Sequence, residues 1–231
     1  MSRIIKKIRT IFWSLVSRIK KFESLDQLLE WHFKVWADPN HINREGLSLA
    51  LRSVTTATPV IVETGTSAYG TDSSRLFDSF VKYLAGSFYS VDIKNSPSKR
   101  LKIAMSKRTK FFIMDSLDFL SKLEFLTGHK KIDLVYLDSW DVDWMNPIQS
   151  ALHGKSELLE LRPYLKPGTV LIIDDTPCSL EWIPSEARVI ATNFNDKYGV
   201  IPGKGAFFET ALFGLKFRKL YHKYNLVIVF E

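Results

Sequence analysis

From Pro59 onward the chain alternates short apolar runs with stretches of helical spacing. PVIVETG (59–65), SFYSVDI (87–93), TKFFIMDS (109–116), KIDLVYLD (131–138) and GTVLIIDDT (168–176) read as strands. Between them, TDSSRLFDSFVKYLA (71–85) places Leu76, Phe77, Phe80, Val81 and Leu84 on one helical face. DFLSKLEFL (118–126) and SELLELRPYL (156–165) read as helices, the second stopped by Pro167-Gly168. A basic, helix-compatible stretch runs to about Lys107. GAFFETALFGLKF (205–217) reads as helical, and LYHKYNLVIVFE (220–231) closes with strand character. Strands separated by helices predict parallel pairing. The apolar runs are continuous, as in strands covered on both faces. The expectation is an α/β fold: a Rossmann-like, doubly wound, mainly parallel sheet with helices on both faces.

Ahead of this body stands an N-terminal helical region. Residues 1–22 carry Ile4, Ile5, Ile8, Ile11, Phe12, Leu15, Val16 and Ile19 on one stripe of a helix. No apolar run there is long enough to span a bilayer or to form a secretory signal core. ESLDQLLEWHFKVW (23–36) and LSLALRSVT (47–55) read as further helices around a DPNHINREG loop. The predicted division is a basic amphipathic helix (1–22), a helical cap (23–58) and the sheet domain (59–231).

Charge sharpens the picture of the first segment only. Seven of the 32 basic residues, and none of the 25 acidic ones, lie in residues 1–21, so the whole excess of +7 sits there. A nucleic-acid enzyme carries its basic stripe across the working face, so nucleic acid is not the expected partner. The segment has three destinations open to it. It packs on the domain or on a second copy of the chain, it lies peripherally on an anionic membrane surface, or it is a targeting segment. A hydrophobic fraction of 45% supports a full core. The single cysteine, Cys178, excludes an intramolecular disulfide framework and a cysteine zinc site. That fits a reducing, cytoplasmic setting.

Each predicted parallel strand ends in or beside an acid: Glu63, Asp92, Asp115, Asp138, and Asp174 with Asp175. Ligands of open α/β sheets bind beyond the carboxyl ends of the strands. The acids are therefore expected on one rim, suited to something cationic or rich in hydroxyls. The first turn, ETGTSAYGTDSS, has Gly65 and Gly70 with Thr66 and Ser67 between them, and matches neither phosphate-binding glycine fingerprint. An acid beside a glycine turn suits an ammonium or sulfonium group. Asp92 stands where such folds accept ribose hydroxyls, Asp115 and Ser116 are placed to read an exocyclic amine, and Trp140 either stacks on a purine or packs in the core.

The order ETGT…G, SVDI, MDS, LDSW, KPGTVLIIDD resembles the class I S-adenosylmethionine-dependent methyltransferases over roughly residues 59–176. DLVYLDSW followed by LKPGTVLIIDD is similar to the metal-dependent O-methyltransferases, in their catechol and macrocin-type sugar branches. PGKGAFFETAL (202–212) is similar to a segment of the sugar branch. The resemblance implies S-adenosyl-L-methionine held by Glu63, Gly65, Thr66, Ser67, Gly70, Asp92, Asp115, Ser116 and Trp140. It implies Mg2+ (or Mn2+) held by Asp138, Asp174 and Asp175, with Asp138 also taking the proton of the acceptor hydroxyl. The implied acceptor is a saccharide or another small polar molecule. Two features depart from the pattern: Asp141 stands where the catechol branch has a lysine base, and the glycine turn is one residue longer.

Other readings stay open. Asp141-Val142-Asp143 is a D-x-D, as in metal-dependent glycosyltransferases, and a cofactor-binding protein without catalysis is the contrasting class. His32, His41 and His153 lie in segments able to overhang the rim. Lys204, between Gly203 and Gly205, is expected either to touch an acidic substrate or to be solvated.

Overall fold

A computed structural model of the chain describes residues 12–14, 16, 17, 19–67, 70–95, 101, 102 and 104–231. Much of the expected N-terminal helix (residues 1–11, 15 and 18) lies outside the described residues. So does part of the basic stretch before Lys107.

Among the described residues, seven strands form one sheet: β1 (Val60–Thr64), β2 (Ser87–Asp92), β3 (Thr109–Ile113), β4 (Leu134–Leu137), β5 (Val170–Ile173), β6 (Phe217–His222) and β7 (Leu226–Phe230). Their order is β3-β2-β1-β4-β5-β7-β6. The first five are parallel, and β7 runs antiparallel between β5 and β6. Strand order reverses at β1, which lies between β2 and β4. A crevice opens at such a switch point because the loops after β1 and β4 leave toward opposite faces.

Alternate residues of each strand feed two cores, as a pleat of period two requires. Val62, Val91, Val135, Leu137, Leu171 and Ile173 meet Phe119 and Leu120 of α4 (Ser116–Ser121), Leu123 of α5 (Leu123–Thr127) and Leu158 and Leu161 of α6 (Ile148–Leu161). On the opposite face, Ile61, Phe88, Tyr136 and Ile172 meet three helices. These are α1 (Leu25–Val35), α2 (Arg44–Ser53) and α3 (Ser73–Tyr83). The segment 23–58, expected as a cap, thus supplies Leu28, Phe33, Leu47 and Leu51 to the core. Its 37–43 loop reaches the rim, where Asn43 Nδ2 donates to Asp174 at 2.6 Å. The visible part of the N-terminal segment lies on α3 and the end of α1. The Lys82 ammonium donates to the Ser17 carbonyl at 2.9 Å, and Trp36 Nε1 donates to Ser17 Oγ at 3.3 Å.

The elements differ from the expected ones mainly toward the C-terminus. Helix α6 begins at Ile148, directly after Pro147, eight residues before its apolar spacing becomes legible. Helix α7 (Arg188–Tyr198) occupies a stretch to which no element was assigned. The expected helix 205–217 shrinks to α8 (Phe208–Ala211). The expected last strand is a hairpin, because Lys223–Asn225 turn the chain between β6 and β7. No helix among the described residues is long and apolar enough to cross a membrane.

Candidate active site

The rim is built from the residues that leave β1 to β5. Gly65 turns out of β1 with φ +81°, and a Cβ there would stand 2.0 Å from the Asp138 carbonyl. Glycine is needed because the exits of β1 and β4 touch. Ser67 also takes a left-handed φ of 66°. It is held by its N–H on Ser74 Oγ (2.8 Å) and its hydroxyl on Asp72 (2.9 Å).

Glu63 sits beneath this turn. It is fully buried and accepts hydroxyls from Ser73 and Ser74 (2.5 Å each) and Ser90 (2.7 Å). Burial pushes its carboxyl up to about 7, against the three serine hydroxyls. Its expected contact with a ligand is corrected: it knits β1, β2 and the start of α3 together. Gly70 is corrected too. It lies against the His41 ring, and its carbonyl accepts the Asp38 N–H at 3.0 Å, so it anchors the 37–43 loop.

Two adjoining clefts open at the switch point. One runs from Gly65 past Asp92 to Asp115, Ser116 and Trp140. The other runs from Thr66 and Ser67 past Lys94 to Asp138 and Asp141. Gly65, Asp92, Ser139 and Trp140 border both. The Asp92 carboxylate accepts the N–H of Lys94 (2.6 Å) and of Thr66 (3.2 Å), which fixes it at the cleft floor. Asp115 caps α4 through the Leu117 N–H at 2.8 Å. Trp140 is 48% exposed, so it is no core residue; its ring lies 4.9 Å from that of His153. His153 Nε2 is within reach of Ser116 Oγ (3.1 Å) and Ser139 Oγ (3.0 Å). The other two histidines differ: His41 covers Gly70, and His32 is buried with Nε2 on the Thr71 carbonyl at 2.7 Å. Burial holds His32 down at about 4.

At the far end of the second cleft Asp138 meets Asp175 across an ammonium, and the third carboxylate, Asp174, does not join them. Lys204 Nζ pairs with Asp138 Oδ1 and stands 2.9 Å from Asp175 Oδ2, its side chain 4% exposed. Asp174 faces elsewhere. It accepts Tyr136 Oη and Asn43 Nδ2, both at 2.6 Å, and the Asp175 N–H at 2.9 Å. The Tyr224 hydroxyl bonds to Asp175. Burial raises the Asp138 carboxyl well above the usual range; Lys204 opposes this, and Asp174 and Asp175 add to it. Burial also raises Asp174, with Asp175 adding. Burial alone would lower Lys204, yet Asp138, Asp175 and Asp174 together hold it above an ordinary lysine.

This arrangement differs from the expected Mg2+ site. An ammonium already stands between Asp138 and Asp175, and protein donors fill Asp174. Among the described residues no group of three metal-ligating side chains is disposed to hold an ion. Lys204 is corrected in turn, since it is neither solvated nor turned to a substrate. Sequence reasoning missed that Lys204 pairs with Asp138 and Asp175, and that Tyr136 and Asn43 hold Asp174 while Tyr224 meets Asp175. The only local signal was a lysine between two glycines. Asp141 and Asp143 are exposed, and Asp143 turns back onto the Met145 N–H at 3.0 Å.

Solved structures share this architecture. MycE methyltransferase from the mycinamycin biosynthetic pathway, in complex with Mg, SAH and mycinamycin VI, matches with a TM-score of 0.54 at 17% identity. The match covers 91% of this chain and 55% of MycE. CalS11, calicheamicin methyltransferase, matches with a TM-score of 0.54 at 12% identity, over 99% of this chain and 94% of CalS11.

The chain has the class I methyltransferase fold.

An O-methyltransferase family protein from Burkholderia thailandensis has the same methyltransferase fold, with a TM-score of 0.50 at 11% identity over 90% of this chain and 59% of that one. The chain spans about half the length of MycE. No protein-family model matches it, and no curated protein is similar to it in sequence.

Proposed function

We propose that the chain is an S-adenosylmethionine-dependent O-methyltransferase acting on a hydroxyl of a saccharide or another small polar molecule. The observation that carries this reading is the place of Asp138. It lies at the end of a cleft that starts at the Gly65 turn and passes Asp92 and Trp140. The donor set of that cleft suits the cofactor. Asp92 offers a carboxylate to ribose hydroxyls, Asp115 and Ser116 face the place for an adenine edge, and Trp140, Val91 and Met114 form an apolar wall. When bound, the sulfonium supplies an electrophilic methyl group. Asp138 takes the proton of the acceptor hydroxyl as the oxygen attacks, acting as general base. Lys204 holds Asp138 through Oδ1. The acid-lined rim favours an acceptor rich in hydroxyls. Magnesium enters no step, because Lys204 and the donors on Asp174 take up the carboxylates.

Calorimetry with S-adenosylhomocysteine, followed by an acceptor screen with labelled S-adenosylmethionine, tests the reading. Saturable binding that survives Asp138→Asn, together with lost transfer in that variant, is the expected result. Failure of the wild type to bind S-adenosylhomocysteine would remove the proposal.

A further inference from the structure

We infer that Lys204 is a built-in cation occupying the place of a divalent ion, so that this acid cluster binds no divalent metal in the native chain. Three carboxylates at the ends of two adjacent strands repel one another, and a buried group of this kind needs positive charge among its oxygens. Here the charge comes from the chain itself. Nζ of Lys204 bonds to Asp138 and to Asp175, which links the exits of β4 and β5. A divalent ion among the same oxygens would stand at ion-pair distance from an ammonium, and the two charges exclude each other at low local dielectric.

The seat of Lys204 is built into the backbone. Its N–H donates to the Asp175 carbonyl at 3.0 Å, and the Gly205 N–H donates to Thr176 Oγ1 at 3.0 Å. Three glycines let the turn press this close. A Cβ on Gly154 of α6 would lie 2.1 Å from the Lys204 carbonyl. One on Gly203 (φ +149°) would lie 2.3 Å from the Asp175 carbonyl, and one on Gly205 would lie 2.5 Å from the Thr176 side chain. A lysine turned to solvent needs none of these. Asn43 and Tyr136 meanwhile draw Asp174 away from the other two acids. Lys204 is therefore a positioning residue. It clamps Oδ1 of Asp138, a residue that lines the cleft.

Mn2+ titration of the full chain, followed by electron paramagnetic resonance, tests this without any acceptor and apart from the methyl-transfer reading. The wild type is expected to give no saturable Mn2+ site. Lys204→Ala and Lys204→Met, which empty the seat, are expected to gain one, and Asp138→Asn added to either is expected to abolish it. A wild-type Mn2+ site that disappears in Asp138→Asn would overturn the inference. So would folded Lys204 variants that bind no Mn2+. If neither Lys204 variant folds in metal-free buffer, folding on addition of Mn2+ reads the same gain. If they stay unfolded in Mn2+, the wild-type titration decides alone: a saturable site overturns the inference, and none upholds it.

Discussion

Lys204 grips Asp175 twice, its main-chain N–H on the Asp175 carbonyl at 3.0 Å and its ammonium on the Asp175 carboxylate at 2.9 Å. The two bonds fix both ends of one residue against the exit of β5. Asp175 itself has a left-handed φ of 41°, which costs a non-glycine residue about 1 kcal/mol and needs such support.

Removing the ammonium should therefore be costly. Lys204→Ala leaves the largely buried Asp138 and the part-buried Asp175 without their cation; breaking a fully buried pair destabilises by about 3–5 kcal/mol, and the partial exposure here lowers the expected loss to about 2–3 kcal/mol. Urea unfolding in chelator should show that loss. A change below about 1 kcal/mol would mean that water takes over the role of the lysine.

Gly154 offers a second handle on the same seat. In a helix, Gly→Ala normally stabilises by about 1 kcal/mol. Here the new Cβ meets the Lys204 carbonyl, a rigid backbone atom, and overpacking of that kind costs about 1–3 kcal/mol. The melting temperature of Gly154→Ala should fall; a rise would show that the Lys204 turn yields freely.

Asp92 should matter to the cofactor more than to the fold. A hydrogen bond to a charged group contributes about 1.5–3 kcal/mol, so Asp92→Ala should weaken S-adenosylhomocysteine binding by tenfold or more. Calorimetry on the folded variant checks this, and an unchanged dissociation constant would place the ribose elsewhere.

Two buried groups should give opposing pH responses. His32 ionises near 4 in the fold and near 6.5 when unfolded. The unfolded chain therefore binds its proton first, and stability falls as pH drops from about 6.5 to 4. Glu63 ionises near 7 in the fold and near 4.5 unfolded. The folded chain keeps its proton longer, and stability rises as pH drops from about 7 to 4.5. Between pH 6.5 and 4.5 these two contributions oppose each other. Glu63→Gln should steepen the loss toward acid, and His32→Gln should turn it into a gain. Profiles parallel to the wild type in both variants would show that neither group is linked to folding.

Much of the fold was legible because its signals are local. Short continuous apolar runs such as LVYL and VLII, bounded by acids and turn residues, read as strands covered on both faces, and the spacing of Leu76, Phe77, Phe80 and Val81 puts them on one face of a helix. Six of the rim residues, Gly65, Thr66, Ser67, Asp92, Asp115 and Ser116, were placed by strand ends alone, and Trp140 by its position after β4. Glu63 was misread because an acid one residue inside a strand end points down into the loop as readily as out of it. Gly70 was misread because a glycine's neighbour is set by packing.

The sequence by itself determined the alternation of strands and helices and the row of acids at the strand ends, because both are written in spacing over a few residues. The tertiary structure alone decided what meets those acids. Lys204 lies 66 residues from Asp138, and Asn43 lies 131 from Asp174. Only the closing of the sheet brings an ammonium and an amide to carboxylates that far away along the chain.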